Sequence, residues 1–267
     1  MKKRIKKIVI KVGSSLVANY KTGLPKTNWI NSFVNDLSFI IKKKIKIIIV
    51  SSGAIAIGRK RIGFLKKKLN LDEQQAAASV GQIYLINNYK KAFIKKKVEI
   101  SQVLLTLEDT IKKEKKINAK KTLNKLIEKN IIPIINENDT VATDEIKFGD
   151  NDRLSARVAE IIKADLLILL SDVSGLYNKD PKKNKKAELI KEVKIINKSV
   201  IKASSFTNNH YARGCMTTKI MAAKIATNAG CGMTIVNGNS KNIIQRIFEG
   251  AEGTYFHPKK RKKIIKY

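Results

Sequence analysis

Six short apolar runs rich in isoleucine, valine and leucine recur along the chain: Ile8 to Val12, Ile45 to Val50, Ile100 to Leu105, Ile131 to Ile135, Leu166 to Leu170 and Met233 to Val236. Short runs dominated by such residues read as buried strands of a mostly parallel sheet. Longer segments of helical character lie between them, at Trp29 to Lys42, Asp72 to Phe93, Ala119 to Lys129, Asp152 to Ile162 and Thr217 to Ala229. Strands alternating with helices predict an α/β fold, a mostly parallel sheet covered by helices. In such sheets ligands bind beyond the carboxyl ends of the strands.

Four of these strands end in small polar residues, glycine or carboxylate. They are followed by Lys11-Val12-Gly13-Ser14-Ser15, Ser51-Ser52-Gly53-Ala54, Asn136-Glu137-Asn138-Asp139 and Ser171-Asp172-Val173-Ser174-Gly175. A lysine two residues before Gly13 suits phosphate oxygens, and glycine permits close backbone approach to the same anion. The turn at Ser51, Ser52 and Gly53 suits a phosphate or a substrate carboxylate. The carboxylates after the fourth run suit an ammonium group. In Lys147-Phe148-Gly149-Asp150-Asn151-Asp152, the Asp and Asn residues are helix caps by default. Asp152 is also a candidate to hold a catalytic lysine, and Asn151 to offer its amide to a substrate. Arg213-Gly214-Cys215-Met216-Thr217-Thr218-Lys219 opens a helix with glycine, two hydroxyls and a cation, a reasonable triphosphate site. Its spacing is not that of a Walker A loop.

The chain has 267 residues and a formal net charge of +33, which admits polyanion binding at low salt. Its lysines are dispersed in runs such as Lys42 to Lys44, Lys95 to Lys97 and Lys259 to Lys263. Dispersed runs make solvated faces, and no basic motif with interleaved aromatics is present, so no specific nucleic-acid partner is expected. No unbroken apolar stretch of about 18 residues is present, so no membrane partner is expected. Cys215 and Cys231 are too few and too ill-spaced for a disulfide framework or, with His210 and His257, a zinc site. A reducing cytoplasm is the expected location.

The strings KVGSS, VSSGAIA, LLT, INENDTVATDEIKFGDNDRLSA, LLSDVSGLYNKDP and GCMTTKIMAAKIA occur in that order. This order resembles the glutamate 5-kinases of the amino-acid kinase family over residues 7 to about 257. The resemblance implies a three-layer sandwich, with an open, mainly parallel eight-stranded sheet between helix layers. It implies one kinase domain over 1–257; many members add a C-terminal PUA domain, whereas here a basic tail over 258–267 and no PUA domain are expected. It also implies ATP-dependent phosphorylation of the γ-carboxylate of L-glutamate, the first step of proline synthesis, with Mg2+. Lys11 and Lys219 are then the phosphate-gripping lysines and Asp152 the carboxylate that organises them. Ser52, Gly53, Asp139 and Asn151 fall at glutamate positions. Gly13, Ser171, Asp172, Arg213, Gly214, Cys215, Met216, Thr217 and Thr218 fall at nucleotide positions. Where the family reads close to GTGGM, this chain reads Ala212-Arg213-Gly214-Cys215-Met216.

A γ-carboxylate with a reference pKa of about 4.3 is ionised at neutral pH, so the reaction needs no general base. The metal ligands are left unassigned. Proline as a feedback inhibitor and a homo-oligomer, dimer or tetramer, are further expectations from the resemblance. The competing readings are a kinase of the same family acting on another carboxylate or on carbamate, and a catalytically degraded basic RNA-binding or scaffold protein.

Overall fold

The computed structural model describes residues 5–64, 68–141, 150–181, 183–205, 215–250 and 253–259. The apolar runs form the expected strands β1 (Lys7–Val12), β4 (Lys46–Ser51), β5 (Ile100–Leu105), β6 (Ile132–Glu137), β7 (Leu166–Ser171) and β9 (Gly232–Asn237). Two short strands, β8 (Glu192–Val193) and β10 (Thr254–Phe256), extend the sheet, and β2 (Ala18–Asn19) pairs with β3 (Leu24–Pro25) as a separate small ribbon. At two and three residues, β8 and β10 are too short to leave a periodic signature. Their partners are set by neighbouring strands.

Among the described residues the main sheet has eight strands in the order β5-β6-β4-β1-β7-β9-β10-β8. Pairing is parallel from β5 through β9, β10 runs antiparallel to β9, and β8 is parallel to β10. The order reverses about β1, which has β4 on one side and β7 on the other. This is the switch point at which connections leave in opposite directions and open a crevice.

Helices cover both faces. On one side, α1 (Ser14–Val17), α2 (Thr27–Lys42), α3 (Ala54–Arg61), α4 (Leu71–Ile94) and α9 (Ile243–Phe248) pack on Ile8, Ile10, Val12, Ile47, Ile49, Ile132 and Ile134. On the other, α5 (Lys113–Glu128), α6 (Asp150–Ile161), α7 (Lys198–Ser205) and α8 (Met216–Asn228) pack on Val9, Ile48, Val50, Ile135, Leu167 and Leu169. The alternation along each strand is the two-residue period of extended chain. It places Ile8, Ile10 and Val12 under the α2–α4 layer, and Val9 under the α6–α8 layer. The three-layer sandwich expected from the resemblance is thus present. No helix among the described residues is long and apolar enough to cross a membrane.

Helix boundaries follow local chemistry. In α2 the buried Ile30, Phe33, Val34, Leu37 and Ile40 recur at helical spacing along one stripe. Asn70 caps α4 in a reciprocal capping box with Glu73. The fifth helix starts at Lys113, six residues before the expected start at Ala119. Its first turns are a solvated charge run that carries no apolar periodicity.

Helix α3 was not among the expected elements. It crosses α4 with backbone against backbone. A Cβ added at Gly58 would lie 1.7 Å from the Ala77 carbonyl oxygen, and one at Gly81 would lie 1.9 Å from that of Ala54. Glycine at both positions permits this approach. The crossing brings α4 down onto the turn that follows β4.

Candidate active site

Because β1, β4, β6, β7 and β9 run parallel, their carboxyl ends share one rim, and the turns after them are stitched together by ladder-like bonds. The Gly13 N–H donates to the Leu170 carbonyl at 3.0 Å, Ser52 N–H to Val12 at 3.1 Å, and Gly238 N–H to Ser171 at 2.8 Å. The Gly13 N–H is therefore already engaged within the rim. Gly53 has φ of +113°, and a Cβ there would lie 2.6 Å from Val17 Cγ2. Only glycine fits that turn without strain.

Lys11 alternates with the core residues of β1 and so points into the α6–α8 layer. There Asp152, in the first turn of α6, receives it. Lys11 Nζ lies 2.7 Å from Asp152 Oδ1, and Lys219 Nζ, from the first turn of α8, lies 3.2 Å from Asp152 Oδ2. Thr218 Oγ1 is 2.9 Å from Asp152 Oδ2 and 2.8 Å from the Cys215 carbonyl oxygen, and Ser155 Oγ donates to the Asp152 carbonyl at 2.7 Å. All three charged side chains are buried: that of Lys11 is 9% exposed, that of Lys219 4% and that of Asp152 1%.

Burial by itself would raise the Asp152 carboxyl, but the Lys11 and Lys219 ammoniums and the Thr218 hydroxyl outweigh it and hold the group well below the usual carboxylate range. Burial depresses Lys11 below the ordinary lysine value. The Asp152 carboxylate opposes that shift, and the neighbouring Lys219 charge adds to it. Two cations tied to one anion leave a net positive charge in a dry pocket, and this favours an arriving phosphate.

A second, uncharged constellation lies beside it. Asn151 Nδ2 donates to Ser52 Oγ at 2.9 Å and to Asn136 Oδ1 at 3.1 Å, and Asn136 Nδ2 donates to Gln82 Oε1 at 2.7 Å. An amide nitrogen carries two hydrogens, and both of Asn151's are used here. What remains for a ligand is its carbonyl oxygen, a buried acceptor with no partner among the described residues. The expected role of Asn151 is thereby refined: it can only accept. Ser52, which accepts from Asn151, keeps its own hydroxyl hydrogen for an incoming carboxylate.

The remaining expected positions fall on the same rim. Asp139 opens a single 3-10 turn (Asp139–Val141) after β6. The Ser171 hydroxyl is 3.1 Å from an oxygen of the exposed Asp172. Cys215 immediately precedes α8, and Met216 packs into the core beneath that helix. Thr217 lies in the first turn of the helix. Thr218, also in the first turn of α8, turns its hydroxyl to the Asp152 carboxylate. Arg213 and Gly214 lie outside the described residues, as do Lys147, Phe148 and Gly149. Gln82 and Asn136 were not anticipated. Gln82 sits in a helix far from any strand end in sequence, and Asn136 had been read only as part of an acidic turn.

The sequence profile described as "Amino acid kinase family" matches residues 6–237. The chain is 49% identical over 252 residues to the glutamate 5-kinase of Pelagibacter ubique, covering 94% of this chain and 68% of that protein. It is 46% identical over 256 residues to the glutamate 5-kinase of Clostridium tetani, covering 96% of each. Among solved structures, a carbamate kinase from Giardia lamblia bound to AMP-PNP superimposes with a TM-score of 0.65 at 15% identity, covering 97% of this chain and all of the other. A UMP kinase from Ureaplasma parvum superimposes with a TM-score of 0.63 at 19% identity, covering 95% and 99%. The fold, the rim of strand ends and these relatives agree: the chain belongs to the amino acid kinase family, and within it to the glutamate 5-kinases.

Proposed function

We propose that the chain transfers the γ-phosphoryl group of ATP to the γ-carboxylate of L-glutamate, forming L-glutamyl 5-phosphate for proline synthesis. The observation that carries this reading is the buried Lys11–Asp152–Lys219 constellation at the switch point of the sheet. An ionised carboxylate is a ready nucleophile, so catalysis consists of in-line positioning and stabilisation of charge on the transferring group. Two ammoniums fixed by one carboxylate supply that charge before the substrates arrive. Asp152 stands between them, 2.7 Å from Lys11 Nζ and 3.2 Å from Lys219 Nζ. It is not available as a base, since its oxygens are held by cations and a hydroxyl.

Ser52 and Gly53 then take a carboxylate, Asn151 and Asp139 take the α-ammonium, and Gly13, Ser171, Asp172 and the segment from Arg213 to Lys219 take the nucleotide. Among the described residues no three carboxylate, thiolate or imidazole groups converge as a metal cage. Mg2+ arriving with the nucleotide would be held largely by its phosphates and water and would supply further charge neutralisation beside Lys11 and Lys219. We read residues 1–257 as one kinase unit with a basic segment after it, in a cytoplasmic setting. Family likeness supports a homo-oligomer and feedback inhibition by proline.

The test is to trap the acyl phosphate as a hydroxamate, with ATP and Mg2+ and with L-glutamate, N-acetyl-L-glutamate or L-aspartate offered separately. Hydroxamate from L-glutamate in clear excess over the others is expected. None from L-glutamate overturns the proposal, and a preference for N-acetyl-L-glutamate reassigns the acceptor.

A further inference from the structure

Resting on that reading, we infer that Gln82 is a positioning residue that sets the sense of the Gln82–Asn136–Asn151–Ser52 amide relay. It thereby makes Asn151 present an acceptor to the α-ammonium of the amino-acid substrate.

The relay crosses three elements. Gln82 stands on α4, Asn136 at the end of β6 on the same side of the sheet as Ile132 and Ile134, and Asn151 in the first turn of α6. Gln82 is 8% exposed and Asn136 2% exposed, so water does not compete for the bonds between them. Each amide can be turned end for end, and the links are mutually dependent. With Gln82 Oε1 accepting, Asn136 donates to it and offers its own oxygen onward. Asn151 must then donate to that oxygen, and among the described residues its carbonyl oxygen is left without a donor, open to a ligand's ammonium. Turned the other way, Gln82 would donate, Asn136 would donate to Asn151 in turn, and Asn151 would present N–H groups to an ammonium, a repulsive pairing. Two buried atoms mark the ends of the chain: Gln82 Nε2, a donor, and Asn151 Oδ1, an acceptor, both without partners among the described residues. The Gly58–Gly81 crossing holds the Gln82 end in place, since Gly81 is its immediate neighbour.

Replacements at Gln82 separate this role from packing. Gln82→Glu supplies a side chain that, when ionised, only accepts, and so locks the sense seen here. Gln82→Met fills the same space and neither accepts nor orients Asn136; Gln82→Leu serves if the methionine variant does not fold. Wild type and variants are compared at pH 8 with saturating ATP, using L-glutamate and glutarate, which lacks the α-amine, as acceptors in the hydroxamate assay. In Gln82→Met, kcat/KM for L-glutamate is expected to fall about 10-fold, the scale of one charge-assisted hydrogen bond, through KM. The value for glutarate and the KM for ATP should stay within about 3-fold, since neither uses that bond. Gln82→Glu is expected to keep at least the wild-type preference for L-glutamate over glutarate.

A purely structural role predicts the reverse order, because a buried carboxylate disturbs packing more than methionine does. Equal losses on both acceptors in Gln82→Met, or a lower glutamate preference in Gln82→Glu than in Gln82→Met, would overturn the inference while leaving the proposed reaction intact. Absence of product from L-glutamate with the wild-type protein would overturn both.

Discussion

The Lys11 ammonium lies 2.7 Å from one oxygen of the Asp152 carboxylate, with the two side chains 9% and 1% exposed. Replacing Asp152 by asparagine keeps the shape and the acceptor for Thr218 but leaves two ammoniums facing each other in a dry site. Breaking a buried pair in this way costs about 3–5 kcal/mol, so Asp152→Asn should lower the urea midpoint sharply and abolish measurable turnover. The sign with pH follows from the depressed carboxyl. Its contribution is fully present above the unfolded-state value of about 3.9 and is lost as pH falls from there toward the lower folded-state value. Wild-type stability should therefore drop steeply in that acid window, and Asp152→Asn should show a shallower drop. Equal slopes in urea titrations between pH 2 and 5 would rule this out.

The two lysines serve the transition state. Lys11→Ala and Lys219→Ala should each reduce kcat by about 100-fold or more, the scale seen when one preorganised donor to developing charge is removed. KM for L-glutamate should change far less, because the amide relay is separate from the charged cluster. Wild-type turnover in both variants would refute the two-lysine arrangement.

Lys11 must be protonated to act, and burial lowers its pKa below the usual 10.5. The alkaline limb of kcat/KM for ATP, which reports the free enzyme, should therefore lie below pH 10.5. The limb of kcat should lie at higher pH, because bound phosphates favour the ammonium. Coincident limbs at or above 10.5 in steady-state profiles would contradict the buried geometry.

Gly81 offers a packing test of a functional turn. Alanine there would set a Cβ 1.9 Å from the Ala54 carbonyl oxygen and 2.6 Å from the Gly58 nitrogen. Backbone has to move, at a cost of about 1–3 kcal/mol or more. Since Ala54 directly follows Ser52 and Gly53, Gly81→Ala should raise KM for L-glutamate as well as lower Tm. Calorimetry and acceptor kinetics on the same preparation check both. A lowered Tm with unchanged KM would show that the crossing does not position the turn.

The strands were legible because burial in the sheet favours runs rich in isoleucine, valine and leucine, although the edge strand β5 leaves Gln102 and Leu104 exposed, and the parallel sheet follows from the helices between them. Lys11 stood out as a cation at a strand end beside glycine. Lys219 was legible as a cation at a glycine- and hydroxyl-rich helix start and Asp152 as a carboxylate able to hold a lysine, while their pairing with Lys11 came from the family resemblance. Helix α3 and strands β8 and β10 were not legible, being short and held by neighbours rather than by their own periodicity. Gln82 and Asn136 escaped for another reason: an amide in a helix or at a strand end has no sequence mark that separates it from a surface residue.

From sequence alone came the strand–helix alternation, the rim of strand ends that must carry the chemistry, and a carboxylate acceptor that needs no base. Tertiary structure decided that Lys11 and Lys219, 208 positions apart by their numbering, share one buried carboxylate. It also decided that both hydrogens of the Asn151 amide are taken, so that it offers only its oxygen. Residue types set which groups can donate or accept. The use of each lone pair and hydrogen depends on which partners the parallel sheet and the α3–α4 crossing bring within about 3 Å.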